Sequence, residues 1–197
     1  MAFRNGTLLA LLCILVSACG SDEGAEIQAD LAWRTTCDEA GGCLDSQHVI
    51  LAIDGERSHR ITCDINNAGE GAYVINFEAY KNESGDRDYG IGIRNAAFTE
   101  NGGQITGTSC VLSMEEEGNT YEGKCGSQSP SEAQPCQINN IEISDSSDGP
   151  VISGDILCVG LPSSIAPLDA TKHREVRNSN PSDDGPMTFR MTNCRGF

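Results

Sequence analysis

Residues 110–125 have the sequence Cys-Val-Leu-Ser-Met-Glu-Glu-Glu-Gly-Asn-Thr-Tyr-Glu-Gly-Lys-Cys. Folded as a β-hairpin about its central Glu-Gly pair, this stretch places Cys110 opposite Cys125. It also places Met114 opposite Tyr121, so that one face is apolar and the other polar, as a half-buried strand pair requires. Directly opposed residues lie about 4.5–5.5 Å apart, which is close enough for a disulfide. The stretch therefore predicts a disulfide-closed hairpin.

Residues 136–158 follow the same pattern around an Asp-Ser-Ser-Asp-Gly turn. Folding at that turn sets Cys136 opposite Cys158. The same register sets Ile138 opposite Ile156, with polar residues between them. A second disulfide-closed hairpin is predicted here on the same grounds.

Strand-like runs recur through the rest of the chain, whereas helical periodicity does not. Residues 73–79 alternate cleanly between apolar and polar side chains, and an Asp-Gly turn signal at 54–55 separates the β-rich runs 48–53 and 60–65. Residues 166–177 are the best candidate for a helix, but neighbouring prolines favour a loop. Further candidate strands are 31–36, 89–98, 104–114, 120–125, 136–144, 150–159 and 187–193. The chain is expected to be all-β, a disulfide-stapled antiparallel β-sandwich, with a jelly roll as a more specific option.

The first eighteen residues have the parts of a secretory signal peptide. Arg4 supplies a positive charge, residues 8–16 are apolar, and Ser17 and Ala18 are small. The apolar run is shorter than the roughly 20 residues that a transmembrane helix needs. Residues 1–18 are therefore expected to be a removable targeting segment.

The four residues Val16-Ser17-Ala18-Cys19 resemble the lipobox of bacterial lipoproteins. The resemblance implies that Cys19 is thioether-linked to diacylglycerol and acylated with fatty acids such as palmitate after the preceding peptide is removed. Gly20 then favours sorting to the outer membrane if the host is Gram-negative. An ordinary signal peptide, cut after Gly20, is the alternative.

This interpretation divides the chain into three parts: a signal peptide over residues 1–18, an acidic flexible tether over 19–30, and a single β-sandwich domain over 31–197. The tether is assigned because its residues are small, polar and acidic and lack the apolar content to fold. The remaining length suits one domain with a real core.

The cysteine count favours a disulfide framework. Of ten cysteines, Cys13 leaves with the signal peptide and Cys19 takes the lipid, so an even number remains. Zinc is the alternative, but the chain has no Cys-x-x-Cys. Outside the two hairpins, the predicted pairs are Cys37–Cys43, which closes a small loop, and Cys63–Cys194, which ties the ends.

A net charge of −16 disfavours nucleic acid as a partner, because phosphate binding needs clustered cationic side chains. Adhesion to anionic lipid headgroups is disfavoured for the same reason. The simplest interpretation of the negative charge is that mutual repulsion keeps the protein soluble on a crowded cell surface.

The residues that carry metal or acid–base chemistry give few signals. His48 and His59 flank the 54–55 turn, so a paired-histidine metal site is conceivable, although two partly exposed strand histidines are the favoured interpretation. Calcium is the best metal candidate, because the loops 145–149 and 178–185 supply hard oxygen ligands. Asx turns with no bound ion explain both loops and are favoured.

Three further features remain open. Residues 172–177 (Lys-His-Arg-Glu-Val-Arg) form the only basic cluster, which could hold an anion, although a solvated loop is favoured. Trp33 is expected to pack on the core rather than to stack on sugar. With 29 acidic residues, a glycosidase-like carboxylate pair is nearly inevitable and carries little weight.

The leading hypothesis is a membrane-anchored envelope module, non-catalytic and without a cofactor, which binds an envelope protein or glycan through loops on a rigid scaffold. An envelope hydrolase and a structural envelope component are the alternatives.

Overall fold

The computed structural model describes residues 26–37, 45–82, 88–99, 110–147 and 149–196. Within these ranges the protein is built almost entirely from β-strands. The strands are β1 (Gln28–Thr36), β2 (Ser46–Ile53), β3 (His59–Gly69), β4 (Ala72–Lys81), β5 (Tyr89–Thr99), β6 (Cys110–Glu116), β7 (Asn119–Gly126), β8 (Cys136–Ser146), β9 (Gly149–Leu161), β10 (Arg174–Asn178) and β11 (Met187–Thr192). Two 3₁₀ turns, Glu56–Ser58 and Ala170–Lys172, lie in the connections.

The strands form one large sheet in which antiparallel pairing dominates. From β3 to β9 each strand pairs with the next along the chain. Strands β10 and β11 then lie in succession between β9 and β1, and β2 pairs with β1. Because neighbours in the sheet are mostly neighbours in sequence, the order is that of a meander, and the jelly-roll option was wrong.

The sheet folds over so that β4 packs against β11 and β5 against β1. The rings of Phe77 and Phe189 lie 4.8 Å apart, and those of Trp33 and Tyr89 lie 6.0 Å apart. A single core of aliphatic and aromatic side chains fills the space between the two layers. The predicted two-layer, all-β architecture is confirmed, and Trp33 is fully buried in that core, as expected.

The two cysteine hairpins have the predicted registers. Cys110 lies opposite Cys125 and Met114 opposite Tyr121. In the second hairpin Cys136 lies opposite Cys158, and a bulge follows farther along the pair. Inside/outside alternation and the bridging distance are local properties, and they were sufficient to define these two pairings.

Three disulfides lie within the described residues: Cys63–Cys194, Cys110–Cys125 and Cys136–Cys158. These are three of the four pairs expected from the sequence; the fourth, Cys37–Cys43, involves a residue outside the described ranges.

Four of the bridged cysteines occupy one row across the sheet. The strands β7 and β8 are parallel and share only two residue pairs, one of which is Cys125 with Cys136. Since Cys110 lies beyond Cys125 and Cys158 beyond Cys136, a disulfide stands on each side of this short junction. The bridges therefore fix the strands where the backbone pairing between the two halves of the sheet is shortest.

The N-terminal boundary of the domain differs from the prediction. Strand β1 begins at Gln28, and Ile27 and Ala29 are buried in the core. The predicted tether, which ended at residue 30, was therefore too long at its C-terminal end. Its last apolar residues alternate with polar ones and pair with β2 and β11, so they belong to the folded domain as part of a strand.

Two segments, the turn at residues 54–55 and residues 174–178, differ from the structure predicted for them. The turn at 54–55 does not close a hairpin, because β2 pairs with β1 and β3 pairs with β4. Gly55 has a φ of 82°, and the chain passes through a 3₁₀ turn to the other layer. Residues 174–178, which were expected to be loop, form β10 because they fill the place between β1 and β9.

Candidate functional site

A buried polar cluster lies where the ends of four strands meet. We call it the Glu116 cluster; it consists of Thr35 from β1, His48 from β2, Glu116 from β6 and Arg174 from β10. Thr35, His48 and Glu116 are buried in the otherwise apolar interior. Charged groups in such surroundings are stable only when they are paired, so the contacts within the cluster decide its properties.

Glu116 is at the centre of these contacts. Its Oε1 accepts a hydrogen bond from Thr35 Oγ1 at 2.5 Å and lies 2.9 Å from His48 Nε2. Its Oε2 accepts a hydrogen bond from Arg174 Nε at 3.0 Å. Both carboxylate oxygens are therefore occupied by protein donors.

These donors determine the charge of the carboxyl group. Burial alone would raise the pKa of Glu116, but hydrogen bonds from His48, Thr35 and Arg174 outweigh the burial and lower the pKa from 4.5 to about 2. Glu116 is thus a carboxylate at neutral pH, and it neutralises the guanidinium group beside it.

Aromatic rings enclose the cluster. The imidazole of His48 contacts two rings, with its centroid 5.1 Å from that of Trp33 and 4.9 Å from that of Tyr89. The guanidinium of Arg174 lies over the ring of Tyr121 at 5.3 Å, a cation–π distance. The rings restrict how far the imidazole and the guanidinium can move.

This arrangement does not form a nucleophilic triad. In a triad the imidazole contacts the hydroxyl through one nitrogen and the carboxylate through the other. Here Thr35 Oγ1 and Glu116 Oε1 both face His48 Nε2, at 3.4 Å and 2.9 Å. Since the carboxylate is also buried and fully hydrogen-bonded, the cluster is suited to holding four strands together rather than to proton transfer with a substrate.

The conceivable paired-histidine metal site is contradicted. His48 lies opposite Trp33 in the sheet, whereas His59 lies opposite Lys81 on another strand pair. His59 Nδ1 is 2.7 Å from the backbone oxygen of Glu56. Within the described part of the chain, no group of three or more His, Cys, Asp or Glu side chains is placed to hold a metal ion.

The 178–185 loop uses its side-chain oxygens internally. Asn178 Oδ1 accepts from the N–H of Asn180, and Asp183 Oδ1 accepts from the N–H of Gly185. Asp184 accepts from the buried Arg34 at 2.9 Å. These Asx turns account for the loop without an ion. Residue 148 of the other predicted calcium loop lies outside the described residues.

The basic run 172–177 does not form a free anion site. Arg174 is committed to Glu116, and Arg177 donates to Glu175 at 2.6 Å and to the backbone oxygen of Asp184 at 2.7 Å. Two of the three charged basic side chains in the run are therefore already paired with acceptors of the protein.

Sequence reasoning missed Glu116, although a signal for it was present. In the predicted hairpin, alternate residues from Cys110 place Leu112, Met114 and Glu116 on the same face. A carboxylate that follows three apolar residues on the core-facing side of a strand is expected to be buried and paired. The partners on β1, β2 and β10 could not be identified in this way, because they come from distant parts of the chain.

An exposed apolar loop lies beside the cluster. Ile165 and Leu168 in the β9–β10 connection are 79% and 99% exposed. The connection is nonetheless ordered by backbone hydrogen bonds, among them Ser164 N–H to Thr120 O at 2.8 Å and Asp169 N–H to Ala166 O at 3.1 Å. We call residues 162–169 the Leu168 loop.

Comparisons with known proteins identify no relative: no protein-family model, no curated protein and no solved structure matches the chain. Among the described residues, no helix is long and apolar enough to cross a membrane. Residues 1–25, which include Cys19 and the motif before it that resembles a lipobox, lie outside the described ranges.

Proposed function

We propose that this chain is a lipid-anchored protein of the bacterial cell envelope whose β-sandwich binds another envelope protein through the Leu168 loop. The observation that carries the binding proposal is the exposure of Ile165 and Leu168 on a hydrogen-bonded loop of a disulfide-braced scaffold. Contact residues are commonly carried by loops on rigid scaffolds.

The anchoring part of the proposal rests on the lipobox-like motif that ends at Cys19. The described domain begins at Glu26, so six residues lie between Cys19 and the domain, and seven Cα–Cα steps lead from Cys19 to Glu26. A chain of that length spans at most about 25 Å when it is fully extended. The N-terminal end of β1 would therefore be held close to the membrane, the outer membrane if the host is Gram-negative.

The Leu168 loop lies toward the other end of β1. Strand β1 has nine residues, which correspond to about 30 Å of extended chain. Thr35, near its C-terminal end, contacts Glu116, and Tyr121 on the next strand forms a bridge with Ser163 of the loop. With the N-terminal end at the membrane, the loop would be displayed away from it.

The chemistry of the loop favours a protein over a glycan as partner. Ile165 and Leu168 are aliphatic, and the loop contains no aromatic ring on which a sugar could stack. Burying a branched aliphatic side chain contributes about 1.5–3 kcal/mol, so two of them make a small hydrophobic contact. The saturated, buried Glu116 cluster beside the loop supports a non-catalytic module.

Site-specific photo-crosslinking tests the binding proposal. A photoreactive residue at Leu168, in cells that produce the full chain, is expected to crosslink to a discrete envelope protein, whereas the same residue at exposed Ala68, near the C-terminal end of β3, gives none. The variant Ile165→Ser, combined with the photoreactive residue at 168, is expected to weaken the crosslink. Identical crosslinking from positions 168 and 68, or none from 168, would contradict the proposal.

A further inference from the structure

The sheet has two edge strands, β2 and β3, and the described residues cover only one of them. The C-terminal residues cover the outer side of β3. There the N–H of Ile65 donates to the backbone oxygen of Arg195, and the N–H of Arg195 donates to that of Cys63, both at 2.8 Å. Among the described residues, no strand or loop backbone pairs with β2 on the side away from β1. An open strand edge is a template for pairing with another chain.

The register with β1 determines which backbone groups of β2 face the open side. The N–H of Asp54 donates to the backbone oxygen of Ile27 at 2.9 Å, which continues the β1–β2 pairing by one residue. Because bonded and non-bonded residues alternate in an antiparallel pair, the odd-numbered residues 47, 49, 51 and 53 direct their N–H and C=O groups to the open side. The hydroxyl of Tyr89 donates to the backbone oxygen of Val49 at 3.1 Å, which agrees with this direction.

Strand β2 has none of the features that usually prevent edge pairing. Its eight residues, Ser46–Ile53, include no proline, lysine, arginine, aspartate or glutamate. They pair with β1 in one continuous register, without a bulge. Val49 and Leu51, on the outer face, are 55% and 75% exposed. Natural proteins interrupt exposed edges with charges, prolines or bulges, so an uncharged and uninterrupted edge is a candidate interface.

We propose that β2 is the interface of a two-fold symmetric dimer, in which the β2 strands of two copies of this chain pair antiparallel. The open run, residues 47–53, is centred on Ile50. A two-fold axis at Ile50 sets Val49 opposite Leu51 of the second copy, and Gln47 opposite Ile53 of the second copy. Each residue whose backbone faces the open side then meets another such residue, and the exposed aliphatic side chains form one row. The strand is thus complementary to itself, as a two-fold interface requires.

The charge distribution is compatible with a second copy at this strand. The chain has a net charge of −16, so two copies repel each other over most of their surface, whereas β2 carries no charge. The same register sets Asp45 opposite Gly55 of the second copy and Asp54 opposite Ser46 of the second copy, so that no acidic residue directly faces another. Asp45 is also paired with Arg34 of its own chain at 3.2 Å.

The dimer is compatible with a lipid anchor at each N-terminus, and this step alone rests on the proposed function. In each copy Gln28 pairs with Ile53, and Arg34 pairs with Gln47. Gln28 of one copy therefore lies beside Arg34 of the other, and the two Gln28 residues are about six residues, or about 20 Å, apart along the strands. The seven Cα–Cα steps between anchor and domain span up to about 25 Å, so both tethers reach one membrane. The two β1 strands run in opposite directions, so one of the two Leu168 loops points away from that membrane.

Sedimentation equilibrium of the full mature protein, in density-matched non-ionic detergent with micelles in excess, measures the association. We expect dimers at chain concentrations of about 100 µM, because edge pairing buries less area than a standard interface. Leu51→Lys should weaken the association at least about tenfold, since it places a cation on the edge of each copy. The matched variant Leu168→Lys, at another highly exposed leucine, should associate like wild type. Near-UV circular dichroism checks that both variants remain folded.

A photoreactive residue at Gln47, in cells that produce the full chain, locates the contact. We expect a product of two copies of the chain, which mass spectrometry shows to be joined within Ser46–Ile53 of the second copy. The proposal is overturned if the protein stays monomeric up to about 1 mM, if Leu51→Lys associates no more weakly than Leu168→Lys, or if residue 47 crosslinks only to a different protein or to none. A photoreactive residue at 168 can capture its partner or fail to do so with each of these results, so the two proposals fail separately.

Discussion

Acid should destabilise the protein through Glu116, and the variant Glu116→Gln isolates that effect. The pKa of this carboxyl is about 2 in the folded protein, against 4.5 for an ordinary glutamate. Because the folded value is the lower one, the ionised carboxylate stabilises the fold fully above about pH 4.5. The contribution is lost progressively as the pH falls from there toward 2.

The magnitude follows from the size of the pKa difference. Each pKa unit corresponds to about 1.4 kcal/mol, so the carboxylate contributes about 3 kcal/mol to the free energy of unfolding at neutral pH. Glu116→Gln removes this charge and leaves Arg174 without its anionic partner. Breaking a buried ion pair from one side costs about 3–5 kcal/mol, which is the same order.

Urea unfolding at a series of pH values between about 7 and 3 measures this contribution. The difference in unfolding free energy between wild type and Glu116→Gln is expected to be about 3 kcal/mol at pH 7 and to shrink steadily below pH 4.5. Glu132→Gln, which changes the same chemical group on an exposed loop, should follow the wild-type curve. A difference between wild type and Glu116→Gln that is equally large at both ends of the pH range would show that ionisation of Glu116 does not supply this stability.

Three further predictions concern stability and packing. Replacing Cys63 and Cys194 together by alanine should lower the free energy of unfolding by about 2 kcal/mol more than replacing Cys110 and Cys125, because the Cys63–Cys194 disulfide closes a loop of 131 residues and the Cys110–Cys125 disulfide a loop of 15. Urea unfolding of the two variants, with midpoints and m-values, measures the difference. Gly149→Ala should lower the free energy of unfolding by about 1–3 kcal/mol. Gly118→Ala should lower it by less, because a Cβ at Gly149 meets Asn193 whereas a Cβ at Gly118 meets no atom. Thermal unfolding of the two variants shows which one is less stable. The single tryptophan, Trp33, should show blue-shifted fluorescence that iodide does not quench until the protein unfolds; a red-shifted, quenchable signal from the native state would contradict its burial.

The sequence predicted the hairpins correctly where the pairing depends only on residues that are close together along the chain. The register of the hairpin that ends at Cys125 follows from side-chain alternation and the bridging distance between opposed residues. The strand at Arg174–Asn178 escaped prediction because four of its five residues are polar or charged, and its place is set by β1 and β9. The hairpin expected at Gly55 failed because β2 had a competing partner in β1.

The candidate site was predictable only in part. The alternation that buries Met114 also places Glu116 on the core side, so the acid could have been identified from the sequence. Its three donors come from strands that are far from it along the chain, and only the tertiary structure brings them together. The exposure of Leu168 likewise depends on the path of a loop, which has no hydrophobic periodicity to reveal it.

Intact mass spectrometry of the protein extracted from its native membrane, with and without reduction, tests the anchored-module account most directly. We expect the mass of residues 19–197 plus glyceryl and acyl groups, and a gain of two hydrogens for each disulfide on reduction. A mature chain without lipid, recovered from the soluble fraction, would contradict the anchoring at Cys19 on which the account rests.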